Sequence, residues 1–228
     1  MTGNPRQLAL DLPTEPRFGR EDFLVSPSNQ VAFETFERWP DWPDPMLLLL
    51  GPTGAGKSHL ATIWARRSGA RVLSGSALPL ADLPALARSG AVLIEDADQA
   101  RGVEREMFHL INLVRSGGGF LAMTARSWPD GWGVALPDLL SRLRQSPAVE
   151  IAEPDDALVR AVLVKLFVDR QLMVDTTVVE FLALRIERSL ASARAIVEAL
   201  DREALERGRA ITRPMAADFL RRLEQTSS

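Results

Sequence analysis

Gly51-Pro52-Thr53-Gly54-Ala55-Gly56-Lys57-Ser58 fills the pattern G-x-x-x-x-G-K-[ST]. Glycines in such a loop let backbone N–H groups converge on phosphate oxygens, and the following helix N-terminus adds partial positive charge. Pro52, Thr53, Gly54, Ala55 and Gly56 supply that cradle. Lys57 is placed to reach terminal phosphates and Ser58 to offer a hydroxyl to Mg²⁺. The apolar run Leu47-Leu48-Leu49-Leu50 precedes the motif and a helical pattern starting with Lys57-Ser58-His59-Leu60 follows it, which is the context it needs. The expected chemistry is binding of a nucleoside di- or triphosphate with Mg²⁺. His59 is expected to pack behind the loop.

A second constellation is Ala91-Val92-Leu93-Ile94-Glu95-Asp96, an apolar run that ends in two acids. Glu95 and Asp96 fit a Walker B pair, one holding Mg²⁺ and the next orienting an attacking water. The order Glu-Asp sets the longer side chain at the metal position. Asp98 is expected to be a solvated loop residue. Thr124 ends another apolar run, where a threonine alone is usually only a β-former; given the two motifs, it becomes a candidate for facing a terminal phosphate. Arg142 and Arg144 lie on a short helical pattern, and Arg194 on a later one. An arginine at the first position can stabilise transition-state charge in a neighbouring subunit's site, and one at the second can reach back to a nucleotide. Taken singly, each is an ordinary surface arginine.

The elements that must position these groups alternate. Strands are expected at 46–50, 70–73, 91–94, 120–124 and 149–151, and helices at 28–38, 57–67, 78–88, 103–116 and 136–144. Val31, Phe33 and Phe36 should lie on or near the apolar side of the first helix. Pro40, Pro43 and Pro45 exclude regular structure before the first strand. This alternation predicts an α/β fold, a five-stranded parallel sheet with helices on both faces. After Pro154 the periodicity turns helical, with segments at 155–170, 175–187, 191–207 and 212–224 forming a small lid. The division expected is a tail over 1–17, a nucleotide-binding domain over 18–153 and a lid over 154–228. In the tail, Gln7-Leu8-Ala9-Leu10-Asp11-Leu12 sets three leucines at alternate positions, suited to an extended peptide entering an apolar pocket, with Gln7 as a polar anchor. A short strand packed on the domain fits the same alternation.

Composition bounds the function. The 228 residues carry a net charge of −3, without the basic footprint of an autonomous DNA binder. The chain has no cysteine, so disulfides, thiolate catalysis and Cys-based zinc sites are excluded. No apolar stretch reaches the ~18–20 residues needed to span a bilayer, and the expected location is cytoplasmic. Trp39, Trp42, Trp64, Trp128 and Trp132 are expected as core or loop anchors; His59 and His109 are too isolated for a metal site.

Together these motifs resemble the DnaA-related branch of the AAA+ ATPases, over nearly the whole chain. Glu21-Asp22-Phe23-Leu24-Val25-Ser26-Pro27-Ser28-Asn29-Gln30 is similar to the segment bordering the adenine pocket in that family, so Phe23, Val25 and Asn29 join the cofactor residues, as do His59 and Arg194, the latter at sensor 2. The resemblance implies Walker B at Glu95 and Asp96, sensor 1 at Thr124 and an arginine finger at Arg142. It also implies ADP or ATP as the cofactor, with Mg²⁺ held by Ser58, Glu95 and Asp96. The sequence ends at Ser228, and the expectation is that no helix-turn-helix DNA-binding domain follows the lid. With that feature, Gln7, Leu8, Leu10 and Leu12 resemble a hexapeptide that binds the DNA polymerase III sliding clamp. The implied role is a regulator that stimulates ATP hydrolysis by DnaA in trans, has weak hydrolysis of its own, and makes no sequence-specific DNA contact; homo-oligomerisation is left open. Two alternatives stand beside it: an autonomous ATPase of the helicase-loader kind, and a clamp adaptor that needs no nucleotide.

Overall fold

The computed structural model describes residues 19–99 and 102–226. Gln7, Leu8, Leu10 and Leu12, and the tail that carries them, lie outside the described residues.

Strand β1, Met46–Leu50, is five apolar residues, all buried. Side chains alternate across a strand. Met46, Leu48 and Leu50 therefore enter one apolar layer, and Leu47 and Leu49 the other. Around it stand β2 (Arg71–Ser74), β3 (Ala91–Glu95), β4 (Phe120–Ala125) and β5 (Ala148–Glu150), all parallel, in the order β2-β3-β4-β1-β5. A parallel sheet needs both faces covered. Helices α1 (Gln30–Glu37) and α2 (Lys57–Ser68) contribute to the layer with Leu47, Leu49 and Leu93, where Phe36, Trp42 and Trp64 cluster. The opposite layer joins Leu48, Ile94 and Met123 to α3 (Leu83–Arg88), α4 (Glu104–Gly117) and α5 (Pro137–Gln145). Met107, Leu110, Ile111 and Val114 form the buried stripe of α4, as their spacing predicts.

A third apolar cluster belongs to the lid helices α6 (Asp156–Asp169), α7 (Thr176–Ala183), α8 (Leu190–Arg207) and α9 (Arg213–Thr226). Asp155, Asp175 and Ser189 cap α6, α7 and α8 through side-chain oxygens that accept backbone N–H groups.

Several expected boundaries move. The helix expected over 78–88, with a break at Pro84 left open, is a 3-10 turn, Gly75–Leu80, then α3; the break falls at 81–82, ahead of Pro84. Pro79 and Pro84 cannot donate along a continuous helix, and Asp82 restarts the chain by accepting the Ala85 N–H. Helix α7 ends at Ala183 rather than 187, because the next residues turn to deliver Ser189, the α8 cap. Val31 is 66% exposed; Ala32 and Phe36, one helical turn apart, make the buried face of α1. Trp128 is also exposed, whereas Trp132 is buried and donates its indole N–H to the Ser127 carbonyl. No helix among the described residues is long and apolar enough to cross a membrane.

Candidate functional site

The loop between β1 and α2 is held open by backbone that only glycine suits. Gly51 has φ +148°, and a Cβ there would lie 2.3 Å from the Ile151 carbonyl oxygen. Its N–H bonds to the Ala125 carbonyl at 3.2 Å, tying the start of the loop to the end of β4. Gly54, at φ +76°, lies under the lid: its carbonyl accepts the Leu190 N–H at 2.9 Å, and a Cβ would meet Ser189 Oγ at 2.0 Å. Lys57 is 7% exposed and donates to the Gly51 and Pro52 carbonyls at 2.7 and 2.9 Å. Burial lowers its pKa, while the facing Asp96, Asp98 and Glu95 act the other way. Ala55 is buried, and Thr53 and Ser58 are exposed at the mouth.

Glu95 and Asp96 arrive at the end of β3, beside the loop. Burial raises the Glu95 pKa, with the neighbouring Ser58 hydroxyl acting the other way. Glu95 Oε1 is buried with no hydrogen-bond partner. A Ser–Glu pair with an unsatisfied carboxylate oxygen fits Mg²⁺, which is commonly bound through one or two protein oxygens while keeping phosphate and water ligands. Asp96 takes a left-handed φ of +50° and is exposed. Its N–H donates to Thr124 Oγ1 at 3.0 Å. Thr124 is 1% exposed, so its hydroxyl fixes the backbone turn that aims both acids. Thr124→Val keeps the shape and removes that acceptor. It is expected to cost about 0.5–1.5 kcal/mol, the usual net worth of one hydrogen bond, read from urea denaturation; no measurable loss refutes the anchoring role.

Between the loop and the lid lies a cavity of about 490 Å³. Gly54, Gly56, Lys57, Ser58 and His59 form one wall, and Phe23, Leu24 and Asn29 another; α6 brings Leu158, Val162 and Leu166, and α8 brings Arg194. Phe23 stacks on Phe33 at 5.5 Å and meets the His59 ring edge-on at 5.2 Å. Asn29 spends its amide on the chain itself: Nδ2 donates to the Leu24 carbonyl and Oδ1 accepts the Ser26 N–H, which shapes the segment around Phe23. Lys165 of α6 pairs with Asp22 at 2.7 Å, tying the lid to the entry segment.

His59 Nε2 donates to the Gly19 carbonyl at 3.0 Å. Burial pulls its pKa below the ordinary 6.5, with the Gly19 bond opposing. Below pH 6.5 the unfolded chain therefore takes a proton that the folded chain refuses, and stability falls as pH falls. His59→Gln is expected to flatten the decline of the thermal midpoint between about pH 7 and pH 5. An unchanged slope in a buffer series excludes His59 as its source.

Other sequence-predicted residues lie elsewhere. Val25 is 48% exposed and lines a separate groove with Pro27, Asp156 and Arg188, not the cavity beside the phosphate loop. Arg142 also lies outside the residues lining that cavity: its guanidinium sits 5.2 Å from the Phe108 ring centroid, between α5 and α4. Arg144 pairs with Asp130. Asp98, expected to be solvated, buries Oδ1 without a partner and adds to the field at Lys57. Sequence reasoning missed Asp22, Lys165 and the Leu158, Val162 and Leu166 wall. The available signal was α6 itself, Asp-Ala-Leu-Val-Arg-Ala-Val-Leu-Val-Lys-Leu-Phe-Val-Asp, apolar on more than the one face a bundle needs.

The same arrangement of elements is found in solved structures. Domain III of the Thermotoga maritima replication initiation protein DnaA is similar with TM-score 0.76 and 19% identity, covering 92% of this chain and 98% of that one. AMPPCP-bound DnaA from Aquifex aeolicus gives 0.73 and 18%, over 92% and 70% of the two chains. The Thermotoga maritima RuvB Holliday junction branch migration motor gives 0.63 and 17%, over 82% and 64%. No protein-family model matches the chain, and no curated protein matches it in sequence. The fold is that of the AAA+ P-loop ATPases, a five-stranded parallel sheet followed by a helical lid.

Proposed function

We propose that this chain is a DnaA-related regulator of the Hda type: it binds ADP or ATP, docks on the DNA-loaded sliding clamp and stimulates ATP hydrolysis by DnaA in trans. The observation that carries the reading is a separation of roles within one fold. The phosphate loop, the entry segment and the lid enclose a cavity suited to an adenine nucleotide, while Arg142 does not line it and lies over Phe108. We assign that guanidinium, which comes from α5 and not from the strand ends that carry the phosphate loop and the acids, to a neighbour's nucleotide.

Each residue then has a task. Backbone N–H groups of 53–57 and the Lys57 ammonium receive the phosphates, and Phe23, Leu158, Val162 and Leu166 exclude water from the base. Arg194 closes the site from the lid. Ser58 and Glu95 would hold Mg²⁺ with Asp96 beside them; the ion would neutralise phosphate charge. Gln7, Leu8, Leu10 and Leu12 would engage the clamp, and Arg142 would stabilise charge that develops on the phosphate transferred in DnaA.

The test is turnover of ATP bound to DnaA in the presence of clamp loaded on DNA, with the wild-type chain and a variant deleted through Pro13. Stimulation by wild type, lost on deletion, is the expected result. No stimulation by wild type overturns the regulator; DNA-stimulated ATP turnover by the chain alone favours the autonomous ATPase. Undiminished stimulation by a chain unable to bind nucleotide favours the adaptor.

A further inference from the structure

We propose that Arg126 is a second cation for the terminal phosphate of the chain's own nucleotide, and that it sets the preference for triphosphate over diphosphate. The assignment rests on the nucleotide-binding reading above and adds a residue to it.

The sheet order supplies the geometry. Strand β4 lies between β1, which feeds the phosphate loop, and β3, which feeds Glu95 and Asp96. Parallel sheets of this kind bind ligands at the carboxyl ends of their strands, and adjacent strands are about 4.8 Å apart. Ala125, the last residue of β4, pairs in register with Leu50 and accepts the Gly51 N–H. Thr124, one residue earlier, accepts the Asp96 N–H. Arg126 is therefore the first residue to leave the sheet at a point bracketed by the phosphate loop on one side and the acids on the other.

Its side chain is unspent. Arg126 is exposed, and among the described residues no hydrogen bond or ion pair engages it, while Glu95, Asp96 and Asp98 act on Lys57. It is near enough to Lys57 to oppose that ammonium's charge. Two cations at the same strand ends, neither joined to a carboxylate by an ion pair among the described residues, oppose each other until an anion lies between them. Their roles differ. Lys57 is compact, buried and held on the Gly51 and Pro52 carbonyls. Arg126 has a planar fork that can bond two phosphate oxygens at once. Arg194 comes from the lid and lines the cavity beside His59, so it does not duplicate this position.

The experiment is calorimetric titration of wild type, Arg126→Ala and Arg126→Lys with Mg²⁺ and either AMPPCP or ADP. In Arg126→Ala the Kd for AMPPCP is expected to rise about tenfold or more, with the Kd for ADP within about twofold of wild type. Arg126→Lys should recover part of the AMPPCP affinity. An AMPPCP affinity unchanged by Arg126→Ala, or an equal loss for both nucleotides, overturns the assignment while leaving nucleotide binding intact. Wild type that binds neither nucleotide overturns the site reading and the assignment together. Because Arg126 is exposed, a thermal midpoint equal to wild type certifies that Arg126→Ala is folded.

Discussion

An Arg142→Ala chain is expected to lose at least about 100-fold of the stimulation that the wild-type chain gives to DnaA-bound ATP hydrolysis, on the precedent that trans-acting arginines contribute about 10³–10⁵ in GTPase systems. Its own nucleotide affinity should stay within about twofold, because Arg142 does not line the cavity beside the phosphate loop. The substitution should also leave the fold intact. Leu139 and Leu143 bury α5 against the sheet layer, and the Glu104 carboxylate accepts the Ala135 and Leu136 N–H groups at 2.9 and 2.6 Å, fixing where α5 begins. The substitution loses the guanidinium over Phe108, a contact of about 0.5–1 kcal/mol at a partly exposed site. Arg142→Lys keeps the charge but not the planar fork, and should restore little. Equal stimulation by wild type and Arg142→Ala would assign the finger role to another residue.

What the sequence made legible is what local pattern controls. Met46–Leu50 could be placed to the residue because a strand buried on both faces must be apolar throughout. The phosphate loop was legible because phosphate binding demands glycine at fixed positions, and Gly51, Gly54 and Gly56 all adopt positive φ. The Met107, Leu110, Ile111 and Val114 stripe followed from helical period alone. Long-range contacts were not legible. Thr124 was expected to face a terminal phosphate; its hydroxyl oxygen also accepts an amide 28 positions away, a partner no local window contains, while its O–H can still donate. Asn29 was expected at the nucleotide and does line the cavity, yet both ends of its amide are committed to its own segment. The Asp22–Lys165 tie depends on how the lid sits on the sheet domain, which periodicity does not specify. Val31 shows the limit within one helix: Val31 and Ala32 are neighbours in sequence, but a 100° step puts one in water and the other in the core.

Lys57→Ala is expected to weaken binding of both ADP and ATP by about 100-fold or more, since a buried ammonium–phosphate contact commonly exceeds a neutral hydrogen bond. In the structure described here Lys57 bonds the Gly51 and Pro52 carbonyls. A nucleotide must draw the ammonium away from at least part of that resting arrangement, so the wild-type affinity already includes the cost of the exchange. Burial lowers the Lys57 pKa, and a phosphate placed against it must push that pKa back up. Binding by wild type should therefore take up protons in the alkaline range where the free lysine is partly neutral, an uptake absent in Lys57→Ala. The simplest measurement is the thermal midpoint with and without saturating nucleotide. A ligand at 100 times its Kd stabilises the folded state by about 2.7 kcal/mol. At that concentration a 100-fold weaker variant gains only about 0.4 kcal/mol, from the same relation. Retention of the full midpoint shift by Lys57→Ala would mean that the loop's amides hold the phosphates without the ammonium. In that case the two contacts at 2.7 and 2.9 Å would be the lysine's actual employment, as a brace for the loop.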